Sequence, residues 1–153
     1  MKIYGRQCLG KKAFLELEYQ MEGRDFSVAG TAASQIKKML TEVGFEPEII
    51  RRTTVVAYEA AMNIVIHAFR GRLLVHIEAD GIGLTAVDEG PGIADVAMAM
   101  QEGYSTASPS IREMGFGAGM GLPNIKRHAD GMAIETRVGE GTTLKAWIIC
   151  KKG

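Results

Sequence analysis

Glu59-Ala60-Ala61-Met62-Asn63-Ile64-Val65-Ile66-His67-Ala68 is the stretch on which the reading of this chain turns. At ~100° per residue, Val55, Tyr58, Met62, Ile66 and Phe69 gather into one apolar arc of a helix. Glu59, Asn63 and His67 advance by only ~40° per step of four, forming a polar stripe along the border of that arc. Side chains so placed are partly sheltered where the helix meets its neighbours. A neutral Asn oxygen there suits Mg²⁺, which keeps waters and phosphate oxygens as its other ligands. A Glu one turn earlier suits a general base. His67 is the weakest member, because a histidine at a helix end is more often structural. Taken alone, Glu-x-x-x-Asn is usually an ordinary polar edge, so its meaning depends on the rest of the chain.

Two further signatures come after it in order. Asp88-Glu89-Gly90-Pro91-Gly92 ends a strand. A carboxylate at Asp88 can accept a hydrogen bond from an exocyclic amine, which adenine has and guanine lacks at that position. Gly90 and Gly92 let backbone approach a ligand, although the same residues also make a plain turn. Glu89 is expected to face solvent. Gly115-Phe116-Gly117-Ala118-Gly119-Met120-Gly121 then precedes Leu122-Pro123, the opening of a helix whose N-terminus favours phosphate. With no GK[ST] it is not a Walker A loop, and with no strand leading in it is not a dinucleotide fingerprint. The interleaved Phe116, Met120 and Leu122 fit a flexible linker poorly. Lys126 and Arg127 read as solvated helix charges rather than phosphate ligands. Near the end, Gly141-Thr142-Thr143 leads into a last strand, where a threonine hydroxyl can share a water with Asp88 or simply begin the strand.

Around these signatures the periodicity predicts a first strand at Leu15, Leu17 and Tyr19. A helix capped by Asp25 or Ser27 carries Val28, Ala32, Ile36 and Leu40 and stops at Gly44. Pro47 opens the long helix, which is expected to reach about Phe69 and end at Gly71. Asp80-Gly81 is a hairpin signal between Leu73–Ile77 and Ile82–Ala86. A short Ala/Met helix and the loop Gly103-Tyr-Ser-Thr-Ala-Ser-Pro-Ser come next, read as mobile. A helix runs from Gly121 through Ile125 and His128, and strands at Met132–Val138 and Thr142–Ile149 close the chain. This order predicts an α+β two-layer sandwich, with helices on one face of a mixed, largely antiparallel sheet, in a single domain over residues 1–153.

Composition sets the outer limits. The 153 residues are 46% hydrophobic and 24% charged, with 18 basic and 18 acidic side chains. That balance gives no basic field for nucleic acid or an acidic membrane. No apolar run approaches a membrane span and nothing at the N-terminus resembles a signal peptide. Cys8 and Cys150 lie near opposite ends without a CxxC partner, so reduced thiols and a cytoplasmic location are expected over a terminal disulfide. His67, His76 and His128 are too scattered for a zinc site.

The ordered triple resembles the N box (Glu59, Asn63, His67), G1 box (Asp88, Gly90, Gly92) and G2 box (Gly115 to Gly121) of the Bergerat ATP-binding superfamily. The likeness spans roughly Phe45 to Cys150. Within the superfamily the chain looks most like the small serine kinases that act as anti-sigma or switch factors, of the RsbW and RsbT type. Glu59 to Ala68, Gly103-Tyr-Ser-Thr106 and Gly121-Leu-Pro-Asn-Ile-Lys-Arg127 carry that likeness. The resemblance implies ATP and Mg²⁺ as cofactors, Glu59 as catalytic base, Asn63 as metal ligand and Asp88 as the reader of adenine. It implies ATP contacts from Gly90, Gly92, Ile93, Gly115, Gly117, Ala118, Gly119, Met120, Gly121 and Leu122, with Thr142 or Thr143 behind the base and an ATP lid over residues 94–114. The acceptor it implies is a Ser or Thr on a small STAS-type partner, and some relatives also bind a sigma factor or form homodimers. The alternative is a nucleotide-gated module that sequesters its partner with little catalysis. A detached histidine-kinase domain fits less well, because no helical hairpin with an acceptor histidine is present. A gyrase-type or mismatch-repair ATPase is disfavoured because no transducer domain comes after the ATP site.

Overall fold

In the computed structural model, which describes residues 2–5, 15–114 and 119–150, the alternating Leu15, Leu17, Tyr19 and Met21 turn inward along β2 (Leu15–Glu22). Before it runs β1 (Lys2–Gly5), a strand that the periodicity does not predict. Helix α1 (Phe26–Val43) starts from Asp25, but Asp25 does not cap a backbone amide; its carboxylate accepts from the Ser27 hydroxyl at 2.8 Å. It stops as expected at Gly44, whose φ of 98° is the left-handed turn that closes many helices. Its N–H and that of Phe45 return to Leu40 O at 3.1 Å.

Pro47 occupies the first turn of α2 (Pro47–His67), as predicted, but the helix ends at His67 and not near Phe69. Phe69 N–H donates to Glu89 O at 2.9 Å, and Arg70 and Gly71 already pair with Glu89 and Asp88 in β3 (Arg70–Glu78). Strand pairing therefore takes the residues that helical periodicity assigned to the last turn. Gly71 is a strand residue, and Phe69 stands 75% exposed. The core face of α2 is also offset from the predicted arc. Ile50, Val56, Ala57, Ala60, Ala61 and Ile64 are buried, and the alanines let α1 and the sheet approach closely.

The Asp80-Gly81 turn joins β3 to β4 (Gly81–Glu89) as the hairpin signal requires. Then come α3 (Val96–Ala99), α4 (Pro109–Glu113), α5 (Gly121–His128) and the hairpin β5 (Gly131–Arg137) and β6 (Gly141–Ile149). The six described strands lie in the order β1-β5-β6-β4-β3-β2. Every described pair is antiparallel, so the predicted largely antiparallel sheet holds without a parallel pair among the described residues. Leu73, Val75, Ile77, Leu84, Ala86, Met132, Leu144 and Ala146 face α1, α2 and α5 from one side of the sheet. The result is the predicted two-layer sandwich, with α2 at its centre carrying the polar stripe along one edge of the core. No helix among the described residues is long and apolar enough to cross a membrane.

Candidate functional site

The stripe opens onto a cavity of about 750 Å³ between α2, the end of β4, the segment 91–108 and the start of α5. Glu59, Asn63 and His67 all border it from α2. So do Tyr58, Met62 and Ile66, so most of the apolar arc forms a wall of the cavity, with Met62 also in the core. Asp88, Gly92, Ile93, Gly119, Met120, Gly121, Leu122 and Thr142 meet the same space. Residues far apart in the chain thus line one space.

Some predicted residues fall elsewhere. Gly90 is buried behind the wall, where a Cβ would lie 2.9 Å from Ala68 Cα. Thr143 is one residue from Thr142 on β6, so its side chain points to the opposite face of the sheet. Gly115, Gly117 and Ala118 lie outside the described residues, as does Cys8. Cys150 is a free thiol, raised in pKa first by burial. Glu89 is exposed and ion-paired with Arg70 at 3.1 Å, as expected.

Backbone geometry explains two of the glycines. Gly92 has a φ of 74°, and a Cβ there would stand 2.3 Å from Arg137 O. Gly119 has a φ of 78°, and a Cβ would stand 2.4 Å from the Gly103 carbonyl carbon. Gly103 N–H donates to Gly119 O at 3.0 Å. The segment from residue 94 to 114 therefore returns to touch Gly119 through its backbone. That segment also holds α4, where sequence periodicity predicts only a loop. Ser108 caps it, with Pro109 in the first turn and Ile111 buried under it.

At the β4 end of the cavity, Asp88 Oδ1 accepts the Thr142 N–H at 3.1 Å. Burial pushes its carboxyl up to about 6, and the Thr142 amide opposes part of that rise. Thr136, which sequence did not single out, organises this end. Its hydroxyl accepts from Ile93 N–H at 2.9 Å, donates to Gly141 O at 3.2 Å and lies 2.9 Å from the Thr142 hydroxyl. Burial lowers the pKa of His67, keeping a neutral imidazole against the cavity.

At the other end, Glu59 sits against the first turn of α5: a Cβ on Gly121 would be 3.3 Å from its Oε2. Its Oε1 accepts from Asn124 Nδ2 at 3.3 Å. Among the described wall residues, Glu59, Asp88 and Asp95 are acids, and Arg24 is the permanent cation. A polyphosphate entering such a wall brings like charge to like, so the donor set fits a nucleotide that arrives with a divalent cation. No cluster of three or more His, Cys, Asp or Glu that could itself hold a metal occurs among the described residues.

With this geometry in view, the histidine kinase-like ATPase domain pattern matches residues 25–148. The chain belongs to the histidine kinase-like ATPase family. It is 34% identical over 120 residues to the serine/threonine-protein kinase RsbT of Bacillus subtilis, covering 75% of this chain and 84% of that one. It is 29% identical over 136 residues to the anti-sigma F factor of Caldanaerobacter subterraneus, covering 86% and 90%. A chain in the crystal structure of the SiaB–SiaC complex from Pseudomonas aeruginosa shares the fold, with a TM-score of 0.63 at 15% identity over 86% of this chain and 88% of that one. The resemblance read from the three boxes is therefore correct at the level of the family.

Proposed function

We propose that the chain is an ATP- and Mg²⁺-dependent serine/threonine protein kinase whose phosphate acceptor is a small STAS-type partner in a partner-switching pathway. The observation that carries this reading is the shared cavity. Glu59 and Asn63, one turn apart on α2, face the same space as Asp88. Asp88 would accept the exocyclic amine of adenine, and Ile93 and Met62 would flank the base. Mg²⁺ would be held by Asn63 and phosphate oxygens, and would neutralise charge on the triphosphate.

The reaction needs little from the chain beyond position and one proton acceptor. Glu59 takes the proton of the acceptor hydroxyl as that oxygen bonds to the γ-phosphorus. The bond from the γ-phosphorus to its bridging oxygen breaks, and ADP departs. Kinship with RsbT supports this chemistry, and kinship with the anti-sigma F factor supports a role exercised through a protein partner.

The test is transfer from γ-labelled ATP with Mg²⁺ to STAS-type proteins of the same genome, with mass spectrometry to locate the modified residue. Phosphoserine or phosphothreonine on one of them supports the kinase. Nucleotide-dependent binding of a partner, with no labelled product, would favour the sequestering module instead.

A further inference from the structure

Glu59 is the first member of a polar chain that leads out of the cavity. Its Oε1 accepts from Asn124 Nδ2, and Asn124 Oδ1 accepts from Arg127 Nη1, each at 3.3 Å. Arg127 Nη2 then donates to Glu102 Oε1 and forms an ion pair with it. Asn124 and Arg127 lie one turn apart on α5, whereas Glu102 belongs to the segment between α3 and α4. The Asn124 amide is used in both senses: its NH₂ serves the carboxylate and its oxygen serves the guanidinium.

The two ends of this chain differ in firmness. Helix α5 is fixed: Ile125 and Leu122 are in the core, and Arg52 on α2 donates to His128 O at 2.7 Å and pairs with Asp130 at 3.2 Å. Asn124 therefore approaches Glu59 from a rigid scaffold. Glu102 and Arg127 are 62% and 53% exposed, so their ion pair is weak by itself and opens readily. A sheltered inner contact on a fixed helix, joined to an exposed outer ion pair, is the arrangement of a latch rather than a strut.

We propose that Glu102, Arg127 and Asn124 form a latch through which the segment over the cavity, once seated on a bound nucleotide, holds the Glu59 carboxylate in its working orientation. Asn124 is a positioning residue, and Glu102 is the part that reports whether the segment is seated. The inner end of the latch rests on the kinase reading; the outer end does not.

The test uses stopped-flow release of a fluorescent ATP analogue from the full chain with Mg²⁺, together with single-turnover phosphoryl transfer. Glu102→Ala and Arg127→Ala should each speed release by about two- to fivefold, the range an exposed ion pair supplies. The double variant should release no faster than either single one. The exchanged pair Glu102→Arg with Arg127→Glu should return release toward wild type, a rescue that damage to the fold would not give. Asn124→Ala should slow transfer at saturating ATP, and Asn124→Asp should move the acid limb of its pH profile upward by setting a like charge beside Glu59. Unchanged release, additive singles or no rescue overturns the latch. Normal transfer and an unmoved pH profile in both Asn124 variants overturns its link to Glu59. A wild-type chain that shows the release pattern but transfers no phosphate loses the kinase reading and the inner end, and keeps the Glu102–Arg127 closure.

Discussion

The Thr142 amide donates to Asp88 Oδ1 at 3.1 Å across the β4–β6 pair, leaving the rest of a half-buried carboxylate turned to the cavity. One oxygen is thus held by backbone, and the group is pointed before any nucleotide arrives. If it reads adenine, Asp88→Asn should weaken ATP binding by ~10–100-fold, the ~1.5–3 kcal/mol of a charged hydrogen bond. Titration calorimetry checks this, and equal affinity would remove Asp88 from base recognition.

The same substitution should stabilise the free protein. Burial raises the Asp88 carboxyl from 3.8 to about 6, so between those values the folded chain holds a proton that the unfolded chain has lost. Stability therefore falls as pH rises from about 4 to about 6, and the loss is complete above that window. Relative to the Asn variant, wild-type melting temperature should decline across that range and run parallel to it at higher pH. In the opposite direction, ATP affinity should drop as pH is lowered through about 6, because the acceptor becomes protonated.

Thr136 should matter although it lies in none of the three signatures. Thr136→Val leaves the Ile93 amide without its 2.9 Å acceptor and frees the Thr142 hydroxyl. We expect a loss of roughly 1–3 kcal/mol in stability and weaker ATP binding, with Thr136→Ser restoring both. Denaturant unfolding and calorimetry on the pair decide it; a valine variant that binds normally would contradict the anchoring role.

A buried hydroxyl offers the reverse case. Thr53 on α2 is fully buried, and among the described residues its Oγ1 has no hydrogen-bond partner. Thr53→Val keeps the shape and removes the unpaired group, so chemical denaturation should show a gain of about 1 kcal/mol. A loss of similar size would mean that the hydroxyl is satisfied in solution.

Legibility in the sequence was decided by how far apart the determining contacts lie. Glu59, Asn63 and His67 were legible because a spacing of four on one helix fixes their shared face locally. Gly44, Pro47 and Asp80-Gly81 were legible for the same reason, as each sets its own backbone. Phe69 and Gly71 were misplaced because the partners that pull them into β3, Glu89 and Asp88, lie at the far end of the next strand. Strand β1 is four residues long and exists through pairing with Gly131 to Ile134 on β5, which no local pattern announces. Thr136 and Asn124 belong to no box; the β5–β6 hairpin and the α2–α5 packing bring them to the site. Helix α4 does carry a local start signal, Ser108-Pro109.

The proposed reaction turns on Glu59 as the proton acceptor, and one variant separates nucleotide binding from the chemistry. Glu59→Gln keeps the shape and an oxygen that can still accept from Asn124 Nδ2. The measurement is ATP affinity and single-turnover transfer to the acceptor protein in wild type and this variant, side by side. Affinity should stay within a factor of about two, and transfer should fall by ~10²–10⁴-fold, the contribution of a positioned base. Transfer at the wild-type rate, with ATP bound equally well, would contradict it.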